Sequence, residues 1–136
     1  MYVNITTIIT GNTRTIINMQ EYKFKSIAQA GDSKTKYLIG VAYHFGWETI
    51  EKNINEAVDW YTKSANLGYY KACLALSNCY KNGIGVKKDI DKAIYWARKT
   101  VEYAPATHIN GLDKTFYKRT FLDGLLKQKL KGKHDE

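Results

Sequence analysis

Five side chains in this 136-residue chain most readily suggest nucleophilic or metal chemistry: Cys73, Cys79, His44, His108 and His134. Nothing in their spacing supports it. No CxxC, HxxxH or HExxH pattern joins any of them, so no metal site is expected. The two cysteines fall six residues apart on one predicted helix. That puts them about 240° apart around its axis and roughly 9 Å apart along it, too far for a disulfide. Neither has a histidine in the local pattern to act as its base, and a free cysteine is commonly a small core residue. Gly83-Ile84-Gly85 has the look of a phosphate loop, but it lacks GxxxxGK[ST] and follows a helical pattern instead of a strand. The chemistry these residues imply is therefore modest: core thiols, surface imidazoles and a chain turn. No cofactor is expected, and the chain does not read as an enzyme.

Composition narrows the remaining classes. The chain is 44% hydrophobic and 25% charged, the balance of a globular protein with one modest core. Its formal net charge is +8, which admits nucleic acid, an anionic surface or an acidic protein as partner. The charge is spread along the chain, at about +3 for residues 1–36, +2 for 37–112 and +3 for 113–136. Eighteen of the 21 basic residues are lysine, so the arginines that suit bidentate phosphate or guanine contacts are scarce. No run of 18 apolar residues suggests a transmembrane helix. The N-terminal stretch lacks the charged start and unbroken apolar centre of a signal peptide. With two unpaired cysteines, this points to the cytoplasm or another reducing intracellular compartment.

The elements that must position these residues follow from an internal repeat. Thr35 to Gly68 and Ala72 to Ala104 superimpose in sequence: Ile39 with Leu76, Tyr43 with Tyr80, Gly46 with Gly83, Ala57 with Ala93, Trp60 with Trp96. The offset is 37 residues up to Gly46 and 36 from Ala57 onward, because the first copy carries one extra residue after Gly46. A period in this range indicates stacked helix pairs. Residues 1–18, rich in Thr, Ile and Asn, favour an extended chain and read as an N-terminal arm, loose or laid on the first helix, or alternatively as a worn repeat remnant. The repeat region covers 19–104: a partial repeat at 19–31, repeat one at 32–68 and repeat two at 69–104. Asp32 or Ser33, then Asn53 or Asn55, then Asp91 are the expected helix caps. Residues 105–136 read as a degenerate capping helix and tail, with Leu112, Phe116, Leu122, Leu125, Leu126 and Leu130 along one face.

The matched residues bring the chain close to a known pattern. It resembles the Sel-one-like repeat family, relatives of the tetratricopeptide repeat. Repeat two matches at Ala72, Leu76, Tyr80, Gly83, Gly85, Val86, Asp89, Lys92, Ala93, Trp96 and Lys99. Repeat one matches at Gly40, Tyr43, Gly46, Ala57, Trp60, Tyr61, Lys63, Ala65 and Gly68. It departs at Glu48, where the family carries its second glycine, so that turn is expected to differ in shape. The paired cysteines that staple each repeat in cysteine-rich relatives are missing. The resemblance implies an all-α fold, a short right-handed α-solenoid of helix-turn-helix units with a C-terminal cap. It also implies a role as adaptor or scaffold through protein–protein interaction.

In such stacks the first helix of each pair usually lines the concave face. The repeat pattern occupies the opposite side of these helices. The positions it leaves over are Lys34, Tyr37, Val41 and His44 in repeat one and Lys71, Leu74, Asn78 and Lys81 in repeat two. These eight residues are the candidate protein-binding groove, because Tyr37, Val41 and Leu74 are apolar for an idle surface. The expected partner is a protein or peptide. A charge-driven nucleic-acid or anionic-surface binder is the alternative reading, an enzyme the weakest, and self-association through an end of the stack is a further expectation.

Overall fold

Alternating apolar positions at helical spacing, with capping residues between them, produce a run of antiparallel helices. The computed structural model of the protein describes residues 13–106 and 113–134. Helix α1 spans Thr13–Ala30, α2 Ser33–Phe45, α3 Ile54–Asn66, α4 Tyr70–Asn82 and α5 Ile90–Tyr103. The C-terminal segment is α6 at Lys114–Tyr117, a π-helical stretch at Lys118–Leu122 and α7 at Asp123–His134. The pairs α2/α3 and α4/α5 pack most extensively, and α3 against α4 joins one pair to the next.

The starts of α2, α3 and α5 are each fixed by a short polar side chain that accepts hydrogen bonds from otherwise orphaned backbone N–H groups, whereas α4 begins after Tyr69 without a side-chain cap. Asp32 accepts from the Thr35 N–H at 2.8 Å, and Asn53 from Glu56 at 3.2 Å. Asp89 accepts from both Asp91 and Lys92, at 3.0 and 3.1 Å. The cap of α5 is thus Asp89, not Asp91 as the spacing suggested: Asp91 already lies in the first turn. Proline at 105 stops α5, with Ala104 extended before it.

The two repeat turns close alike. The Asn53 N–H donates to the Tyr43 carbonyl and the Asp89 N–H to the Tyr80 carbonyl, both at 2.8 Å. The extra residue of repeat one is absorbed inside this frame, where Trp47 and Ile50 exchange two backbone hydrogen bonds. Gly85, at φ 70°, has a second reason to be glycine: a Cβ there would stand 2.5 Å from Ile54 Cγ2 of the preceding repeat. Gly40 likewise admits the Tyr61 ring, whose Cδ1 would lie 2.6 Å from an added Cβ.

Two cores result. One joins Ala28, Ile39, Tyr43, Ala57, Trp60, Tyr61, Cys73 and Leu76, spanning α1 to α4. The other joins Ala93, Ile94 and Ala97 to Leu122 and Leu125 of the C-terminal segment. Ser77 Oγ ties α4 to α5 through the Ala93 carbonyl at 2.8 Å.

Three expectations need correction. Helix begins at Thr13, inside the stretch read as an arm; residues 1–12 lie outside the described residues. The β-branched content there lowers helix propensity by only tenths of a kcal/mol per residue. Extending a helix already anchored at Phe24 and Ala28 avoids the cost of nucleation. The C-terminal helix is not a single regular one, since π-helical winding over Lys118–Leu122 shifts its register. Leu122 and Leu125 are buried, but Phe116 and Leu130 are exposed. Leu112 and His108 lie outside the described residues.

Candidate functional site

The largest question for function is what the unused side of the first helices makes. Six of the eight candidate groove residues, Tyr37, Val41, His44, Lys71, Leu74 and Asn78, line one cleft of about 430 Å³ between α2 and α4. Lys34 and Lys81 are exposed and do not border it. Both sit one turn beyond the cleft, near the start of α2 and the end of α4.

Sequence reasoning missed the residues that form the rest of the wall: Phe45, Tyr61, Ala75, Cys79, Ile84 and Tyr117. Ala75 and Cys79 neighbour Leu74 and Asn78 on the helix surface, so a wider helical stripe would have included them. Tyr61 belongs to a second helix and was visible only as a repeat position. Tyr117 lies beyond the point where the period fades, and no sequence signal places it here.

Aromatic rings dominate the cleft and continue past it. Tyr37 lies 5.7 Å from Tyr61 and 5.3 Å from Tyr69, ring centre to ring centre. Tyr69 is 5.7 Å from Tyr70, which is 5.6 Å from Tyr117. These separations are those of favourable tilted and edge-on ring pairs. The chain of rings couples repeat one to the C-terminal helix. His44 stacks on exposed Phe45 at 4.5 Å, and its Nδ1 lies 3.2 Å from the Tyr61 hydroxyl.

Burial favours the neutral forms of the imidazole, the phenols and the thiol of this wall. Burial lowers the pKa of His44, with the Lys52 charge adding to the effect. Burial raises that of Tyr61, with Tyr37 and Cys79 contributing. It also raises Tyr37 and Tyr117. Burial pushes the Cys79 thiol up and Cys73 up to about 11. A nucleophilic thiol needs the opposite shift. The cleft offers apolar surface, hydroxyls, one amide and the ammonium of Lys71, and no carboxylate lines it. Among the described residues, no three His, Cys, Asp or Glu side chains gather as a metal-holding group. No helix among them is long and apolar enough to cross a membrane.

Comparison with known proteins agrees with this architecture. The family model described as "Sel1 repeat" matches residues 33–69 and 71–102, just over half of the chain. Two solved structures are similar. One is a Sel1 repeat protein from Oxalobacter formigenes, 32% identical over 59% of this chain, with a TM-score of 0.55. The other is a protective antigen of uropathogenic Escherichia coli displaying an SLR fold, 32% identical over 60% of this chain, also with a TM-score of 0.55. The chain spans only 32% and 17% of their respective lengths. A search of curated protein sequences returned no match.

Proposed function

This chain belongs to the Sel1 repeat family, and from that membership we propose that it is a binding module whose cleft between α2 and α4 docks a segment of a partner protein. Repeats of this family are generally protein-interaction modules. The observation that carries the reading is the cleft itself: six residues the repeat pattern leaves over meet there, where half-buried Tyr37, Val41, Leu74 and Ile84 stand beside buried Tyr61 and Tyr117. Aromatic surfaces of this kind supply large contact area at low entropic cost. Their neutral hydroxyls and imidazole orient a ligand by hydrogen bonds without carrying out proton transfer.

The test is capture of partner proteins on the immobilised chain, compared with Tyr37→Ala and Leu74→Lys variants. Both side chains are only half-buried, so the fold is expected to survive. A discrete protein retained through a high-salt wash and lost from both variants supports the cleft. Retention unchanged by either variant removes it.

The exposed Lys127, Lys131 and Lys133 of α7 favour a second reading, an anionic-surface or nucleic-acid contact. Binding through them would vanish at high salt and ignore the cleft variants.

A further inference from the structure

The repeat can be used to ask what the N-terminal end of the stack is missing. Three residues of the first unit have counterparts 37 positions on that are covered. Ile27 corresponds to Ser64, which is fully buried and donates to the Ser33 carbonyl at the start of α2. Leu38 corresponds to Ala75, and Trp47 to Ile84. Both counterparts are partly buried against the core that includes Ile39 and Tyr43 of α2. In the first unit the same places are open: Ile27 is 54% exposed, Leu38 53% and Trp47 60%. Phe45 beside them is 73% exposed. Among the described residues no helix stands in front of α1 and α2 as α2 stands in front of α3 and α4. The open residues outline the seat such a helix would fill.

We propose that this seat is an interface between two copies of the chain, closed by a two-fold axis. The far end of the stack favours a copy meeting itself. There the C-terminal segment already covers Ala93, Ile94 and Ala97 with Leu122 and Leu125. Among the described residues the two ends of the stack are thus unlike, so head-to-tail addition finds no matching open end, whereas a two-fold contact needs only this one surface, repeated on the other copy. Charge complementarity points the same way. A two-fold axis through the middle of α2 runs the two copies of that helix antiparallel. Leu38, near the centre of Ser33–Phe45, then faces Leu38 of the other copy. Exposed Lys34, at the start of α2, meets the end where the other copy exposes Glu48 and Glu51. Opposite charges thus lie at both ends of an apolar centre.

The full chain is measured by light scattering and sedimentation across a concentration series. The expected result is a mass that doubles with concentration and goes no higher. Leu38→Asp, a change at an exposed position, is expected to return the mass to that of one chain while leaving the helical circular dichroism intact. Lys34→Glu or Glu48→Lys alone should weaken the dimer about tenfold or more, and the two together should restore it. A single-chain mass at every concentration overturns the proposal, as does a dimer indifferent to Leu38→Asp or an open-ended polymer. Hydrogen-exchange protection around Leu38 in a monomer, lost on removal of residues 1–12, would assign the seat to the chain's own first segment and also overturn it.

Discussion

In repeat two the second positive-φ residue of the turn, after Gly83, is Gly85, at φ 70°; in repeat one the residue at the same place is Glu48, at φ 51°. Both turns are closed by the same hydrogen bond from the capping residue to the tyrosine carbonyl. The backbone path is therefore imposed by the frame around it, and glycine is the low-strain way to follow it. Repeat one follows it with a side chain in a sparsely populated conformation. Glu48 can do so because it projects into solvent, whereas Gly85 lies against Ile54 and Val58 of the preceding repeat. The repeats also differ in burial. Trp60 is 2% exposed, enclosed between one repeat and the next, while Trp96 is only partly covered. The second helix of repeat one is packed on both sides, whereas that of repeat two depends on the C-terminal segment that covers it.

The tryptophan pair should separate most widely. Trp60→Ala is expected to lower unfolding free energy by about 3–5 kcal/mol, and Trp96→Ala by roughly half as much, read from urea titrations. Equal losses would mean that the two repeats are equally enclosed. Next comes Gly85→Ala, which adds backbone strain and a contact with Ile54 at once. Its expected cost is about 3 kcal/mol. Removing either cap, Asn53→Ala or Asp89→Ala, should cost about 1 kcal/mol. Glu48→Gly is expected to act in the opposite direction. Relief of left-handed strain, offset by the entropy of glycine, leaves a gain of about 0.5 kcal/mol. A loss there would show that the first turn is not strained.

The shifted groups add a pH dependence. Cys73, Cys79 and the tyrosines of the cleft have raised folded-state pKa values, so they favour the fold below their ordinary values. That contribution is lost as the pH climbs from about 9 through the Cys73 value of about 11. His44 is shifted down, so its contribution holds above its ordinary value of 6.5 and is lost as the pH falls through the depressed one. The expected stability profile is flat near neutrality and declines on both sides. Both thiols should resist alkylation in the native protein and react in denaturant. Rapid native alkylation of either one would contradict their burial.

The repeat residues made the helix pairs and the turns legible, because each is a local requirement written at a fixed offset; the contact of Gly85 with Ile54 is between repeats and was not. Six cleft residues were legible for a related reason: once the packed side of a helix is known, the other side is fixed by the 100° step. Lys34 and Lys81 fall outside the cleft, and a helical stripe does not show where a cleft ends. Tyr117 was unreadable, since its place depends on how the C-terminal segment folds back and on the register shift at Lys118–Leu122. The cap at Asp89 was misread as Asp91 because acceptors lie at both positions, and only the backbone geometry chooses between them. The start of α1 was missed because side-chain propensity is weaker than the pull of a neighbouring helix already formed.

Docking in the cleft is tested most directly by photo-crosslinking, with a photoreactive residue in place of Leu74 in one preparation and of Lys127 in another. If the cleft docks a partner, a discrete partner protein should be trapped through position 74 and not through 127, and the trap should persist at high salt. Trapping through 127 alone, abolished by salt, would contradict the cleft and transfer binding to the lysines of α7.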